Sequence, residues 1–227
     1  VFGCGFYDLT SSAERLAKMP PDEAGRWLKQ LDPGRRAAGI KAPFFIAAAT
    51  NDFFFYPRAV QMTLDAIPGE KNQLYAPNAN HKAPVPGGMA PPKAEGKPFQ
   101  PTPFQPHPTP GGTKGNWLAM EVPFFEYHLR GRGEPLPKIT VVRGGNPRTA
   151  RFRIASPRPV AAPDVYWAPA EPDPKKRVWS AVAARAGADG IYEAQLPETA
   201  TDWFALASDD RPVTVAGDLT PVAPAAK

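Results

Sequence analysis

The chain contains one cysteine and three histidines among 227 residues. A lone thiol excludes an intramolecular disulfide framework and a cysteine-based zinc site, and His81, His107 and His128 show none of the spacings by which histidines share a metal ion. Neither a metal nor a cofactor is therefore expected. Long hydrophobic runs are absent too. Nothing approaches the roughly 20 consecutive apolar residues that cross a bilayer, so no membrane span is expected. Charge of one sign is thinly spread, the net +5 arising from lysines and arginines scattered along the chain. Nucleic-acid binding needs such residues gathered into a patch, and it is not expected here. The first residues, Val1 to Tyr7, carry neither a methionine nor the charged stretch that opens a signal peptide. They read as a buried strand, and the chain is expected to begin inside a domain.

What is present is enough apolar material, 42% of the residues, to bury a sizeable core. After the opening strand, Ser11 and Glu14 offer a capping box for a short helix carrying Leu16 and Met19, ended by Pro20 and Pro21. A second helix starts with Asp22 and Glu23, places Trp27, Leu28 and Leu31 on one side, and stops at Asp32-Pro33-Gly34. The run from Pro43 to Ala49 is continuously apolar, as in a strand covered on both faces of a parallel sheet. Pro57 then opens a helix with Val60, Leu64 and Ile67 on one face, closed by Pro68-Gly69. Gln73 to Ala76 is the next strand. Strand, helix and strand in this order form a βαβ unit.

Residues 82–115 break the pattern. They are rich in proline and glycine and contain a small tandem repeat, Pro98 to Thr102 and then Pro103 to His107, which favours extended polyproline structure and reads as an insertion. A helix resumes at Trp117, with Leu118, Val122, Phe125 and Leu129 spaced to bury one face and Pro123 kinking it or marking a first turn. Beyond a linker ending near Pro137 the period changes from 3.6 to 2. Seven candidate strands follow: 139–143, 149–154, 165–167, 178–183, 191–196, 203–207 and 213–216. Asp189-Gly190 supplies a hairpin turn between the fourth and fifth. The expected organisation is a partial α/β domain over 1–131 and an immunoglobulin-like β-sandwich over 138–222.

Chemistry points to the ends of the two parallel strands, the edge where open α/β sheets place their sites. Asp52 follows the first and His81 follows the second, one helix apart. In α/β-hydrolases the chain order is nucleophile, acid, histidine, with the acid after one strand and the histidine after the next. Asp52 and His81 meet that order as acid and base of a Ser-His-Asp triad. The nucleophile is missing, because no Gly-x-Ser-x-Gly elbow occurs. Ser11 and Ser12 look like a helix cap, Ser156 and Ser180 belong to the sandwich, and Ser208 lies beside a turn. Cys4, between two glycines, precedes Asp52 and His81 in the right order, but no helix follows it directly and a strand would then be lacking before Asp52. It reads as a small buried apolar residue.

Ile40 to Pro43, Thr50-Asn51-Asp52-Phe53-Phe54, Ile67-Pro68-Gly69-Glu70-Lys71 and Tyr75-Ala76-Pro77-Asn78-Ala79-Asn80-His81 together resemble the closing part of α/β-hydrolases of the acetyl xylan esterase and dienelactone hydrolase kind. They are similar also to the PhoPQ-activated pathogenicity-related proteins. The resemblance implies that Asp52 is the triad acid, His81 the base, and Phe2 to Tyr7 the strand between elbow and acid. It implies a small-molecule or polysaccharide ester as substrate and a periplasmic or extracellular place of work. The chain is then the C-terminal fragment of an esterase-like serine hydrolase, inactive alone. The alternative is a non-catalytic binding module that uses its β-sandwich. Phe53 to Tyr56 line an acyl pocket or anchor the loop to the core. Trp167, Trp179 and Trp203 read as sandwich core, and His107 and His128 as solvent-facing.

Overall fold

A computed structural model describes residues 4–79, 117–187, 189–211 and 213–222. The expected insertion at 82–115, with His107, and the candidate base His81 lie outside the described residues.

The helices begin with α1 (Ala13–Ala17) and α2 (Pro21–Leu31). The capping box at Ser11 does not form. Thr10 supplies the local bonds instead, its Oγ1 accepting from the Ser12 N–H (3.2 Å) and donating to the Tyr7 carbonyl (2.9 Å). On α2, Trp27 and Leu28 are half-buried but Leu31 is 60% exposed, because the chain turns inward only at the next residue, the fully buried Asp32.

The βαβ unit is present. Strand β1 (Phe44–Ala49), helix α3 (Pro57–Ala66) and strand β2 (Lys71–Ala76) follow in order, and β1 pairs with β2 in parallel from Phe44 opposite Lys71 to Ala49 opposite Ala76. Pro57 occupies the first turn of α3, where its missing N–H costs nothing. Val60, Leu64 and Ile67 are buried as their spacing predicts. At the other end of α3 the Lys71 ammonium donates to the carbonyls of Leu64 (2.6 Å) and Ile67 (2.7 Å), a cation on the negative end of the helix. That is the physical work of the lysine in Pro68-Gly69-Glu70-Lys71.

Two sequence expectations change. Cys4 to Phe6 are not strand, and Tyr7–Leu9 is a 3-10 turn. The backbone donors there are taken by side chains rather than by a ladder: Gly5 N–H bonds Thr63 Oγ1 (2.9 Å), and Phe6 and Tyr7 N–H bond the two oxygens of Asp32 (2.8 and 2.9 Å). Phe6 also sits in the left-handed region at φ 54°. In α4 (Trp117–Arg130) the buried face is Met120 and Phe124, whereas Val122, Phe125 and Leu129 are 64%, 50% and 76% exposed. Both stripes fit a 3.6-residue period. The choice is made by contacts: Phe124 packs on Phe45 of β1, ring centroids 5.7 Å apart, and Met120 Sδ accepts the Thr214 N–H (3.1 Å).

From Lys138 onward every strand pairing among the described residues is antiparallel. One sheet orders β10 (Thr214–Ala216), β9 (Ala200–Ser208), β5 (Asp164–Pro169) and β6 (Ser180–Ala183), with β11 (Thr220–Pro221) also on β9. The other orders β3 (Lys138–Val141), β4 (Thr149–Ala155), β8 (Tyr192–Gln195) and β7 (Arg185–Ala186). Gly190 takes the positive φ that its turn requires, but the hairpin closed there joins β7 to β8 while β6 belongs to the first sheet. Trp203 and Trp179 are buried; Trp167 is half-buried against the same core. Among the described residues one core cluster runs from Cys4 to Leu219. Tyr75 of β2, fully buried, meets Phe204 of β9 with ring centroids 5.4 Å apart, and Phe204 meets Trp179 at 5.0 Å.

Candidate strand-end site

Because β1 and β2 are in register to their last residues, the loops that follow them leave the sheet side by side. Thr50 N–H donates to the Ala76 carbonyl (3.0 Å), Asn51 N–H to the Ala79 carbonyl (2.9 Å), and Asn78 N–H to Thr50 Oγ1 (2.8 Å). Asn78 adopts φ 54°, a conformation asparagine tolerates better than most residues. The loop after β1 and the loop after β2 are thus one hydrogen-bonded unit.

Asp52 is 7% exposed in the first of these loops. Its Oδ1 accepts from the N–H groups of Phe54 (2.7 Å) and Phe55 (3.0 Å), which ties that oxygen to the loop backbone. The sequence places His81 on the second loop, two residues beyond Ala79; its position is not among the described residues. Cys4 is fully buried, and its thiol is pushed up to about 12, first by burial and then by the negative charge of Asp52, with Asp32 adding in the same direction. A thiol held neutral in this way is a poor nucleophile.

Of the aromatic run beside Asp52, Phe55 packs against the core, Phe54 is 45% exposed, and Tyr56 faces a cleft. The cleft has a volume of about 280 Å³. Thr50, Tyr56 and Arg58 line it together with Arg177, Trp179 and Asp202. Arg177 is held by the Asp202 carboxylate and the Pro169 carbonyl, and its guanidinium lies 5.1 Å from the Trp179 ring centre. This stacking adds a cation–π attraction to the ion pair.

Two residues that the sequence marks only as neighbours of the acid and base bond the strand-end loops to residues 174–179. Asn51 Nδ2 donates to the carbonyls of Pro174 (3.2 Å), Lys175 (3.2 Å) and Arg177 (2.6 Å). Asn78 pairs its amide with the backbone of Trp179, donating to the carbonyl (2.8 Å) and accepting from the N–H (2.8 Å). Asparagine in both strand-end loops is the signal that could have found them. A third overlooked residue is Asp32, wholly buried and bonded to three backbone N–H groups, those of Phe6, Tyr7 and Gly34.

His128, expected to face solvent, lies on the buried face of α4, its side chain 9% exposed. Its ring sits 4.4 Å from that of Phe124, and Nε2 is 3.8 Å from Glu70. The inward face of α4 is the one that carries Met120 and Phe124, and His128 lies on it. Among the described residues no three His, Cys, Asp or Glu side chains cluster as a metal site would need. No helix among them is long and apolar enough to cross a membrane.

Residues 11–86 match the family model of the PhoPQ-activated pathogenicity-related proteins. The match takes in α1 through β2, Asp52 and position 81, and stops short of α4 and the antiparallel sheets. The family's description names no reaction. No significant match was found among curated proteins or among solved structures.

Proposed function

We propose that this chain is the C-terminal part of an α/β-hydrolase that cleaves carboxylic esters, with Asp52 as acid and His81 as base of a Ser-His-Asp triad and a second part built as an immunoglobulin-like sandwich. The observation that carries the reading is the state of Asp52: a carboxylate at the tip of a parallel strand, buried, with one oxygen fixed by two backbone amides. A carboxylate held this firmly is suited to orient an imidazole, and its charge favours the imidazolium that forms during acyl transfer.

In the reaction His81 Nε2 takes the proton of a serine hydroxyl as the oxygen attacks the ester carbonyl. Asp52 accepts the Nδ1–H and keeps the tautomer that leaves Nε2 free. The imidazolium then gives its proton to the departing alkoxide, and water repeats the sequence to release the acid. The serine belongs to residues that this sequence does not contain, since it has no elbow motif. Small-molecule or polysaccharide esters are the proposed substrates, and the proposed place of work lies outside the cytoplasm.

Mixing the chain with p-nitrophenyl acetate tests the missing nucleophile: no burst of p-nitrophenolate is expected. A burst lost in Cys4→Ala would replace the reading with a cysteine hydrolase. Titration of His81 by NMR tests the pair itself. The imidazole is expected to hold its proton to higher pH than an ordinary histidine and to lose that shift in Asp52→Asn; an unshifted His81 would remove the triad. A second reading, a binding module without catalysis, draws on the cleft between Tyr56 and Arg177, and would be favoured by an unshifted His81 together with a ligand seated there.

A further inference from the structure

We propose that Asn51 and Asn78 are positioning residues that make segment 174–179, from the antiparallel half of the chain, a working part of the strand-end rim. The inference rests on Asp52 and His81 acting as proposed above. Its grounds are geometric. Asn51 immediately precedes Asp52, and Asn78 lies in the loop that leads to His81. Each is the side chain through which its loop is bonded to the distant segment, with five hydrogen bonds between them.

Solvent contact would leave these amides without a fixed direction. Three carbonyls converging on one Nδ2 do the opposite, because they come from the 3-10 turn Pro174–Lys176 and its C-cap Arg177, whose residues are in turn tied down. Asp173 accepts from the Lys175 N–H (3.1 Å), and Arg177 is anchored to Asp202 and to the Pro169 carbonyl. The Asn78 pairing is reciprocal, so it fixes both the distance and the rotation of the second loop relative to the backbone of Trp179. Thr50 closes the circuit: its hydroxyl donates to Asn51 Oδ1 (2.7 Å) and accepts the Asn78 N–H (2.8 Å). A shift of the 174–179 segment is thereby passed to both loops together, which is the demand of an acid–base pair whose partners leave different strands.

The test uses the full chain with Asn51→Ala and with Asn78→Gly, which keeps the positive φ of that position and removes both bonds to Trp179 without adding a charge. Amide exchange of Phe54 and Phe55, the two donors to Asp52 Oδ1, is expected to quicken by about tenfold in each variant while β9 amides stay protected. The NMR titration of His81 is expected to move toward that of an ordinary histidine, as in Asp52→Asn. Unchanged exchange at Phe54 and Phe55, or a His81 that responds to Asp52→Asn but to neither asparagine variant, would overturn the positioning role and leave the acid–base reading intact. A His81 that ignores Asp52→Asn would instead overturn that reading, and the positioning role with it. Faster exchange spread evenly over β9 would mark the asparagines as general structural supports and likewise overturn the proposal.

Discussion

Gly5 and Gly34 are packed so closely that a Cβ on Gly5 would fall 1.7 Å from the Gly34 nitrogen and 2.0 Å from its Cα. No rotation of a side chain relieves such a contact, since the obstruction is backbone. The approach brings the 4–7 segment against the turn after α2, where Asp32 Oδ1 accepts from the N–H groups of both Phe6 and Gly34.

Gly5→Ala is therefore expected to destabilise the fold by about 2–4 kcal/mol, through backbone displacement and loss of the Asp32 bonds. Gly25 in α2 is the control, because nothing lies within 4 Å of the place a methyl group would take there. Gly25→Ala should leave the fold intact and stabilise it by roughly 0.5–1 kcal/mol, since alanine favours a helix interior. Urea denaturation midpoints distinguish the two.

Removing the fully buried Asp32 carboxylate strands three backbone donors at once. Asp32→Ala should cost about 3 kcal/mol or more, and Asp32→Asn less, because the amide oxygen still accepts. The same denaturation series, with Arg35→Ala as a partly exposed neighbour, measures it. Arg35 approaches Asp32 at 3.8 Å with a 40% exposed side chain, so its loss should be worth well under 1 kcal/mol.

Alkali should weaken the fold. The Cys4 thiol is neutral when protonated, and burial moves it from 9.0 to about 12. Between those values the folded chain binds more protons than the unfolded one, so stability is full below about pH 9 and falls as pH rises toward 12. Tyr75, wholly buried, is displaced upward for the same reason and adds in the same sense. Unfolding midpoints between pH 8 and pH 11 should drop, and drop less steeply in Cys4→Ala. At pH 8 the native thiol should resist iodoacetamide.

At Asp52 the two backbone bonds separate structure from chemistry. Asp52→Ala should lose about 1–2 kcal/mol with the loop cap, whereas Asp52→Asn keeps an acceptor for Phe54 and Phe55 and should lose little. Thermal melts of both variants check the difference.

The βαβ unit was legible because its signals are local: an apolar run, a proline at a helix start, a stripe at 3.6-residue spacing and a closing Pro-Gly. The strands after Lys138 were legible for similar reasons, through alternation and turn residues. What could not be read was choice among equals. Helix α4 carries two apolar stripes, and only contact with Phe45 and Thr214 decides which is inside. The 4–7 segment has the composition of a strand, yet its donors are claimed by Thr63 and Asp32, residues far along the chain. In the candidate site, Asp52 could be placed at a strand end from sequence order. The partners of Asn51 and Asn78 could not, because they come from another sheet's connecting segment and leave no periodic trace.

The row of tilted rings Tyr75, Phe204 and Trp179 has a practical meaning for anyone dividing this molecule. The change of periodicity near residue 138 invites a cut, but either piece would surface aromatic rings that now shield one another. Expressed apart, each half should tend to precipitate; kept together, they should melt in one step.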